Sequence, residues 1–388
     1  MTACMIGWAH SRFGKHEGKD IEDLIVPVAA EAIADAGLTP AEIDEIYIGT
    51  FNGGFVRQEF PSSLVLQLDP ALRFKRTTRV ENACATGSAA IYQGLNAIAA
   101  HRARKVLVVG VEKMSEVTGP QVGDLLIRAA YLKEEADIEG GFAGVFGRIA
   151  QAYFQRYGDQ SDALAMIAAK NHKNGVANPL AQMQKDLGYE FCRTVSEKNP
   201  LVAGPLRRTD CSLVSDGAAA LVLADVETAL QAKKAIVFRA AEQVNDFLPM
   251  SKRDITAYEG PALAWKRALE AAGVTLADLS CAEVHDCFTI AELIIYEAMG
   301  LEKPGQGARA IVEGKVAKDG VLPVNASGGL KAKGHPIGAT GVSMHVLQAM
   351  QLTGTAGGIQ VKDPEIAAVF NMGGAAVANY VSILERLR

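Results

Sequence analysis

Apolar residues in this chain recur with two distinct periods. After Gly87 the positions Ile91, Leu95 and Ile98 fall at helical spacing, which predicts a long helix whose first turn follows or includes Cys84. The chain opens with a strand-like segment, enters a helix from about Ile21 to Ala36 closed by Gly37, and reaches a second strand ending Ile46-Tyr47-Ile48. The same succession returns late, with a helix from about Pro261 to Ala272, Gly273 as terminator and a strand ending Ala282-Glu283-Val284.

The two successions align at an offset of 236 residues, Ala36-Gly37-Leu38-Thr39 onto Ala272-Gly273-Val274-Thr275 and Ile48 onto Val284. Further pieces match. Asn82-Ala83-Cys84 is echoed by Asn325-Ala326-Ser327, each followed by small residues and an amphipathic helix. The apolar strand Val106 to Gly110 resembles Ala367 to Asn371, and Ser215-Asp216-Gly217 through Leu223 resembles Met372-Gly373-Gly374 through Tyr380. In the second half the last two strands are adjacent; in the first they are about a hundred residues apart. The segment from about Met114 to Leu206 therefore reads as an insertion, a lid or substrate domain. The expected architecture is α/β, two repeated units at 1–235 and 236–388, with their small-residue helices stacked at a shared centre and the starts of those helices facing one cavity.

Composition narrows the functions. With 388 residues and 49% hydrophobic content the chain can bury a large core without staples. The net charge of -5 and the lack of a dense basic run argue against nucleic acid or an anionic membrane as a partner. Six scattered cysteines with no C-x-x-C pair suit a reducing compartment and no metal in this chain. The first residues, Met1 to Trp8, lack the pattern of a secretory leader, no apolar run approaches membrane-spanning length, and Leu384 to Arg388 carries no peroxisomal signal. A cytoplasmic location is expected.

Candidate chemistry gathers at the turns. Cys84 lies where charged residues give way to small ones, and the partial positive charge of a helix start favours its thiolate. A lone cysteine of this kind is more often a small core residue, and it is the rest of the chain that turns the reading toward chemistry. Asn325 to Gly341 holds five glycines and one proline around a single histidine, His335, so the imidazole is held in place. The strand ending at Val284 runs into His285-Asp286-Cys287-Phe288, at the carboxyl end where α/β folds place ligand sites. In Phe370-Asn371-Met372-Gly373-Gly374, Gly373 can present a bare N–H to a developing oxyanion.

This constellation resembles the thiolase superfamily, and the resemblance covers essentially the whole chain. Glu81-Asn82-Ala83-Cys84-Ala85-Thr86-Gly87-Ser88 is similar to the nucleophile motif, Gly334-His335-Pro336-Ile337-Gly338-Ala339-Thr340-Gly341 to the family's G-H-P-x-G-x-[ST]-G loop, and Ser215-Asp216-Gly217-Ala218-Ala219-Ala220 to its N/S-D-G-A-A-A strand. Two positions depart from the commonest pattern. His285-Asp286-Cys287-Phe288 replaces N-E-A-F, and Asn371-Met372-Gly373 replaces a C-x-G cysteine; the H-D-C-F form resembles the sterol-carrier-protein type and its bacterial and archaeal relatives.

The resemblance implies a duplicated five-layer αβαβα fold with an inserted loop domain, and a thiolase using coenzyme A as co-substrate. It implies Cys84 as nucleophile, His335 as its base and Cys287 as acid/base at the α-carbon. His285 with an ordered water, or His335, would hold the thioester oxygen of the enolate, and the N–H groups of Cys84 and Gly373 the acyl-enzyme oxygen. A homodimer or dimer of dimers is implied, Val106 to Gly110 being a candidate edge strand, as is a small zinc-ribbon/OB-fold acyl-CoA-binding subunit. Phe142, Phe146 and Met166 are candidates for the acyl pocket or for a structural role in the inserted segment, and Arg207 and Arg208 for coenzyme A contacts or surface charge. Two other readings stay open: a ketosynthase-like condensing enzyme, which needs no second cysteine, and a thiolase-like lyase or noncatalytic acyl-CoA-binding subunit.

Overall fold

The structure, a computed structural model, describes residues 3–388; Met1 and Thr2, part of the segment read for a leader, lie outside the described residues. Nine strands build the main sheet: β1 (Ala3–His10), β2 (Glu45–Gly49), β3 (Arg76–Val80), β4 (Lys105–Lys113), β5 (Asp216–Asp225), β6 (Ile236–Asn245), β7 (Cys281–Val284), β8 (Ile366–Gly373) and β9 (Ala378–Arg386). Their order is β3-β2-β4-β5-β1-β6-β9-β8-β7.

Counted outward from the middle, the two sides repeat one another. One side runs β1, β5, β4, β2, β3, and the other runs β6, β9, β8, β7 and then Val324, which bridges Ala282 in parallel. Strand directions repeat too: β2 is parallel to β4 as β7 is to β8, and β5 is antiparallel to its neighbours β1 and β4 as β9 is to β6 and β8. The sides meet through two residue pairs, Cys4 with Val237 and Met5 with Ile236, so hydrogen bonding makes one continuous sheet of what the repeat predicts as two sheet layers.

Helices complete the layers. They are α1 (Ile21–Asp35), α2 (Thr86–Ala99), α3 (Gly141–Tyr157), α4 (Ser161–Val176), α5 (Glu259–Ala272), α6 (Thr289–Ala298) and α7 (Ile337–Leu352). On the outside α1 packs on β1, β4 and β5, and α5 on β6 and β9; α2 and α7 pack on one another between the two sides. Almost every residue of α7 is buried, as expected of a helix that is apolar or small-residue on all faces. The segment 114–206 expected as an insertion holds α3, α4, a short helix Gly119–Leu126 and most of the hairpin 201–207, with α4 packed on α6 and on the short helix Gly329–Lys333.

One expectation is overturned. Val106 to Gly110 lies inside β4, flanked by β2 and β5, and is no edge. Its unbroken apolar run is what burial on both faces demands. The edge on that side is β3, whose polar sequence Arg76-Thr77-Thr78-Arg79-Val80 suits a half-exposed strand.

The central helices cross at backbone contact. A Cβ on Gly87 would lie 2.7 Å from the amide nitrogens of Gly341 and Val342, and one on Gly341 would lie 2.2 Å from the Ser88 nitrogen. Neither neighbour is a flexible side chain that can step aside. Gly341→Ala is expected to cost about 1–3 kcal/mol or more by overpacking. Gly14→Ala, where a Cβ meets nothing within 4 Å, serves as control. Denaturant unfolding of both proteins checks this, and equal midpoints would show that the helices can separate freely.

Candidate active site

The first side's strand β3 ends at Val80 and the chain turns sharply before α2. Ala83 sits in the left-handed region at φ 49, a conformation that costs a residue with a Cβ about 1–2 kcal/mol. Neighbouring bonds hold it there. Its N–H donates to the Glu81 carboxylate at 2.5 Å, the Thr86 hydroxyl donates to its carbonyl at 2.6 Å, and the Asn82 N–H donates to Thr86 Oγ1 at 2.8 Å. Cys84 is thereby fixed just ahead of the helix and is 5% exposed.

That placement does not produce a free thiolate. Burial pushes the Cys84 thiol up to about 12; a hydrogen bond from the Gly374 N–H pulls the other way, and the negative charges of Glu112 and Glu81 add to the rise. The helix-start argument is outweighed because the sulfur is out of water. The N–H that reaches the sulfur belongs to Gly374, whereas Gly373 lies against the turn itself, where a Cβ would meet the Asn82 carbonyl oxygen at 2.5 Å and the Ala85 nitrogen at 3.2 Å.

His335 is positioned from both halves. Its backbone N–H donates to Ser215 Oγ at 3.0 Å, and Ser215 donates to Gln182 at 2.5 Å. The adjacent Asp216 is buried and accepts from the N–H groups of His16, Met114 and Ser115, the Ser115 hydroxyl and the Lys113 ammonium, which locks the end of β4 to the start of β5. His335 Nδ1 lies 2.7 Å from Thr340 Oγ1, which donates to the Pro336 carbonyl at 3.0 Å. Burial, and then the Lys333 ammonium, hold the imidazole down to about 3, so it rests neutral.

Glu112 ties the halves together beneath the site. Its buried carboxylate accepts from Thr50 Oγ1, the N–H groups of Phe51 and Asn52, and across the centre the Gly338 N–H in the first turn of α7. Burial raises it to about 7 against the pull of these donors.

From the second side come His285, Asp286, Cys287 and Phe288. Asp286 accepts the N–H groups of Leu330 and Lys331 and an Asn171 amide proton, which fixes the loop to the short helix that precedes His335. Cys287 is buried; desolvation first, and the nearby Cys84 second, hold its thiol well above the ordinary value. The rings of His285 and His335 meet edge to face with centroids 5.1 Å apart. Ligand atoms of Cys84, His285 and His335 all lie within 4.8 Å of one another. Three such N and S donors have the makings of a soft-metal site, and equally of a cysteine nucleophile with two imidazoles.

Cys84, Cys287 and His335 open on a largely apolar cavity of about 350 Å³ whose lining also includes Val122 and Phe142, while His285 is fully buried beside them. Phe142 is where the pocket expectation put it. Phe146 lies behind, stacked on Phe288 at 4.4 Å, and Met166 lines a different cavity beside Lys170 and Lys173. Arg208 reaches the cavity, whereas Arg207 is buried, paired with Asp210 at 3.2 Å and spent on the carbonyls of Cys192, Arg193 and Ser161. Sequence reasoning missed Glu112, and saw Asn371, Thr340, Gly374 and Ser215 only as members of motifs or turns; for Asn371, Glu112 and Ser215 the partners that give the side chain its role are remote in sequence.

Comparison with known proteins follows the same lines. The thiolase N-terminal domain family matches residues 3–227 and the thiolase C-terminal domain-like family residues 241–386. The chain belongs to the thiolase family. It is 35% identical to the acetyl-CoA acetyltransferase of Methanothermobacter thermautotrophicus over 98% of this chain and 99% of that one. It is 32% identical to sterol carrier protein 2 of Bos taurus over 96% of this chain and 70% of that protein. Among solved structures the fold is shared with the Ltp2-ChsH2(DUF35) aldolase at TM-score 0.84 and 22% identity, covering 100% of this chain and 98% of that one. It is also shared with the Acat5 thiolase of Ascaris suum in complex with coenzyme A, at TM-score 0.72 and 18% identity over 100% of both chains.

Because the thiol is held up and the imidazole down, both rest uncharged near neutral pH. Alkylation of Cys84 by iodoacetamide is expected to climb close to tenfold per pH unit through about pH 6 to 9, where an ordinary thiol of pKa about 8.5 would begin to level. Peptide-resolved labelling rates check this. A plateau near neutrality would show a preformed thiolate and imidazolium instead.

Proposed function

We propose that this thiolase-family chain is an acyl-CoA C-acyltransferase that cleaves a 3-oxoacyl-CoA with coenzyme A, or runs the reverse Claisen condensation. The observation that supports it most is the meeting, in one apolar cavity, of Cys84 from the first half with His335 and Cys287 from the second. His335 takes the Cys84 proton as the sulfur attacks the 3-keto carbon. The tetrahedral oxygen is held by backbone N–H groups of the Cys84 turn and the Gly373-Gly374 turn, each such donor being worth about 3–4 kcal/mol of barrier. The bond between C2 and C3 then breaks, its electron pair passes to the enolate of the departing acyl-CoA, to whose thioester oxygen we assign His285 as donor, and the Cys287 thiol protonates C2. Coenzyme A next attacks the Cys84 thioester; its thiol proton restores Cys287, and His335 returns its proton to the leaving Cys84 sulfur. The reaction thus ends with every group as it began.

The resting neutrality of these groups fits this chemistry. A buried ion would need stabilising before substrate arrived, whereas a proton handed over during attack creates charge only where donors already point. The acetyl-CoA acetyltransferase relatives support the acyl-CoA class. We divide the chain into repeated halves at 1–235 and 236–388, with the insertion at 114–206 roofing the cavity. Among the described residues no helix is long and apolar enough to cross a membrane, and a cytoplasmic location fits the cysteine pattern.

For assembly, we propose a homodimer formed across the open edge of β3. That edge leads directly into the Cys84 turn, and Phe60 and Phe74 stand 71% and 87% exposed on the chain segments before it. The Ltp2 aldolase is named together with ChsH2(DUF35), which supports a partner subunit beside this chain; that it is a small zinc-ribbon/OB-fold acyl-CoA-binding protein is what the family resemblance implies.

Intact mass and peptide mapping after incubation with a panel of acyl-CoAs are expected to find the acyl group on Cys84. Cys287→Ala should lose about 10²- to 10⁴-fold in carbon–carbon cleavage while still acquiring acyl label on Cys84. Turnover within twofold of the parent would instead favour the condensing-enzyme reading, which needs no second cysteine.

A further inference from the structure

Asn371 stands where the commonest thiolases carry their second cysteine, and its amide has one orientation that satisfies its surroundings. The Cys84 carbonyl can only accept, so the atom 3.1 Å from it is the NH₂ nitrogen. The amide oxygen accepts from Ser88 Oγ at 2.8 Å. The second amide proton then points at His285 Nδ1, 2.9 Å away. A donor at that position requires a lone pair on Nδ1, so neutral His285 carries its proton on Nε2. That Nε2 is buried and has no hydrogen-bond partner among the described residues.

His335 is fixed the opposite way. Thr340 spends its proton on the Pro336 carbonyl and offers a lone pair to Nδ1, which leaves the His335 lone pair on Nε2. Two adjacent imidazoles therefore present different faces, one a base and the other an N–H donor. The same tautomers speak against a metal on Cys84, His285 and His335, since His285 Nε2 presents a proton where a metal needs a lone pair.

We propose that Asn371 is a positioning residue for the carbon–carbon step: it holds His285 as the Nε2–H tautomer, so that this ring donates to the enolate oxygen and does not compete with His335 for the Cys84 proton. The inference rests on the acyltransferase reading above. Desolvation, then His335 and Lys333, keep His285 well below the ordinary imidazole value, so the tautomer, not the charge, decides what the ring can do.

The test substitutes Asn371→Asp, an isosteric side chain whose carboxylate accepts and so draws the His285 proton to Nδ1. In nitrogen-15 spectra of the full chain labelled at histidine, the parent protein should show His285 protonated on Nε2 and the variant on Nδ1. Two rates are measured with the same acyl group: 3-oxoacyl-CoA cleavage, and exchange of labelled coenzyme A into acyl-CoA, which needs the acyl-enzyme but no enolate. The ratio of cleavage to exchange should fall about 100-fold or more in the variant, the size of losing one preorganised donor. In a His285→Gln background, where an amide donor is present whatever residue 371 demands, the same substitution should change that ratio less than about threefold. A parent spectrum with the proton on Nδ1 overturns the proposal without need of any variant, and so does an unchanged ratio in Asn371→Asp. Absence of acyl label and of exchange in the parent would instead sink the acyltransferase reading, while leaving the tautomer measurement intact.

Discussion

Two helix backbones touch at Gly87 and Gly341, and the geometry of the cavity follows from that contact. Ordinary helix pairs keep their axes about 8–10 Å apart because side chains intervene. Here each glycine meets main-chain atoms of the other helix, with no room for even a methyl group. The Cys84 turn lies one turn ahead of Gly87, and the His335 loop runs into the start of α7. Drawing the helices together at the glycines draws those two turns together at the same end. Glu112 then reaches across to the Gly338 N–H and pins the start of α7 to the loop after β2. The strands place the groups in the right layer, but only the glycine crossing brings sulfur and imidazole within reach of one proton.

Closeness in a dry site has an electrostatic consequence. Desolvation dominates the titration of Cys84, Cys287, His285 and His335, and in each case it favours the uncharged form. Lys333 adds to this by disfavouring a second positive charge on either histidine. Each group is therefore defined by which atom holds its proton, and hydrogen-bond partners outside the cavity settle that. Thr340 and Asn371 are fully buried, and each has its other bonds, Thr340 to the Pro336 carbonyl and Asn371 to Ser88 and the Cys84 carbonyl, arranged so that what it turns to the ring is fixed.

Much of this was legible in the chain before any coordinates. The offset of 236 residues, the insertion and the four turns all follow from apolar periodicity and from Gly and Pro placement, because these report backbone conformation directly. Cys84, His335 and Cys287 lie in one cavity, as their turns suggested. What stayed hidden depends on pairing at a distance. The apolar strand from Val106 to Gly110 gave no sign of which strands flank it, and the polar β3 gave little sign of being a strand at all. Asn371 read as a lost cysteine, since its partners Cys84, Ser88 and His285 lie 287, 283 and 86 residues away. The thiolate expected at the helix start failed for a related reason: local dipoles are visible in a sequence, whereas the burial that outweighs them is not.

The duplicated turns show how one fold element has come to serve two ends. Asn325-Ala326-Ser327 stands in the second half where Asn82-Ala83-Cys84 stands in the first, and both turns use a left-handed residue, Asn325 at φ 56 and Ala83 at φ 49. Ser327 is fully committed, its hydroxyl donating to Glu283 at 2.7 Å and accepting from the Gly329 N–H at 3.2 Å, while Asn325 Oδ1 accepts the Val284 N–H at 2.8 Å. Cys84 has no such side-chain anchor; its sulfur is met by a backbone N–H and otherwise faces the cavity. A serine tied at both donor and acceptor cannot attack anything, but it can hold the chain that leads through Gly328 and Gly329 to His335. The second half thus spends its turn on rigidity, and that rigidity is what allows the first half to leave its own side chain free to react.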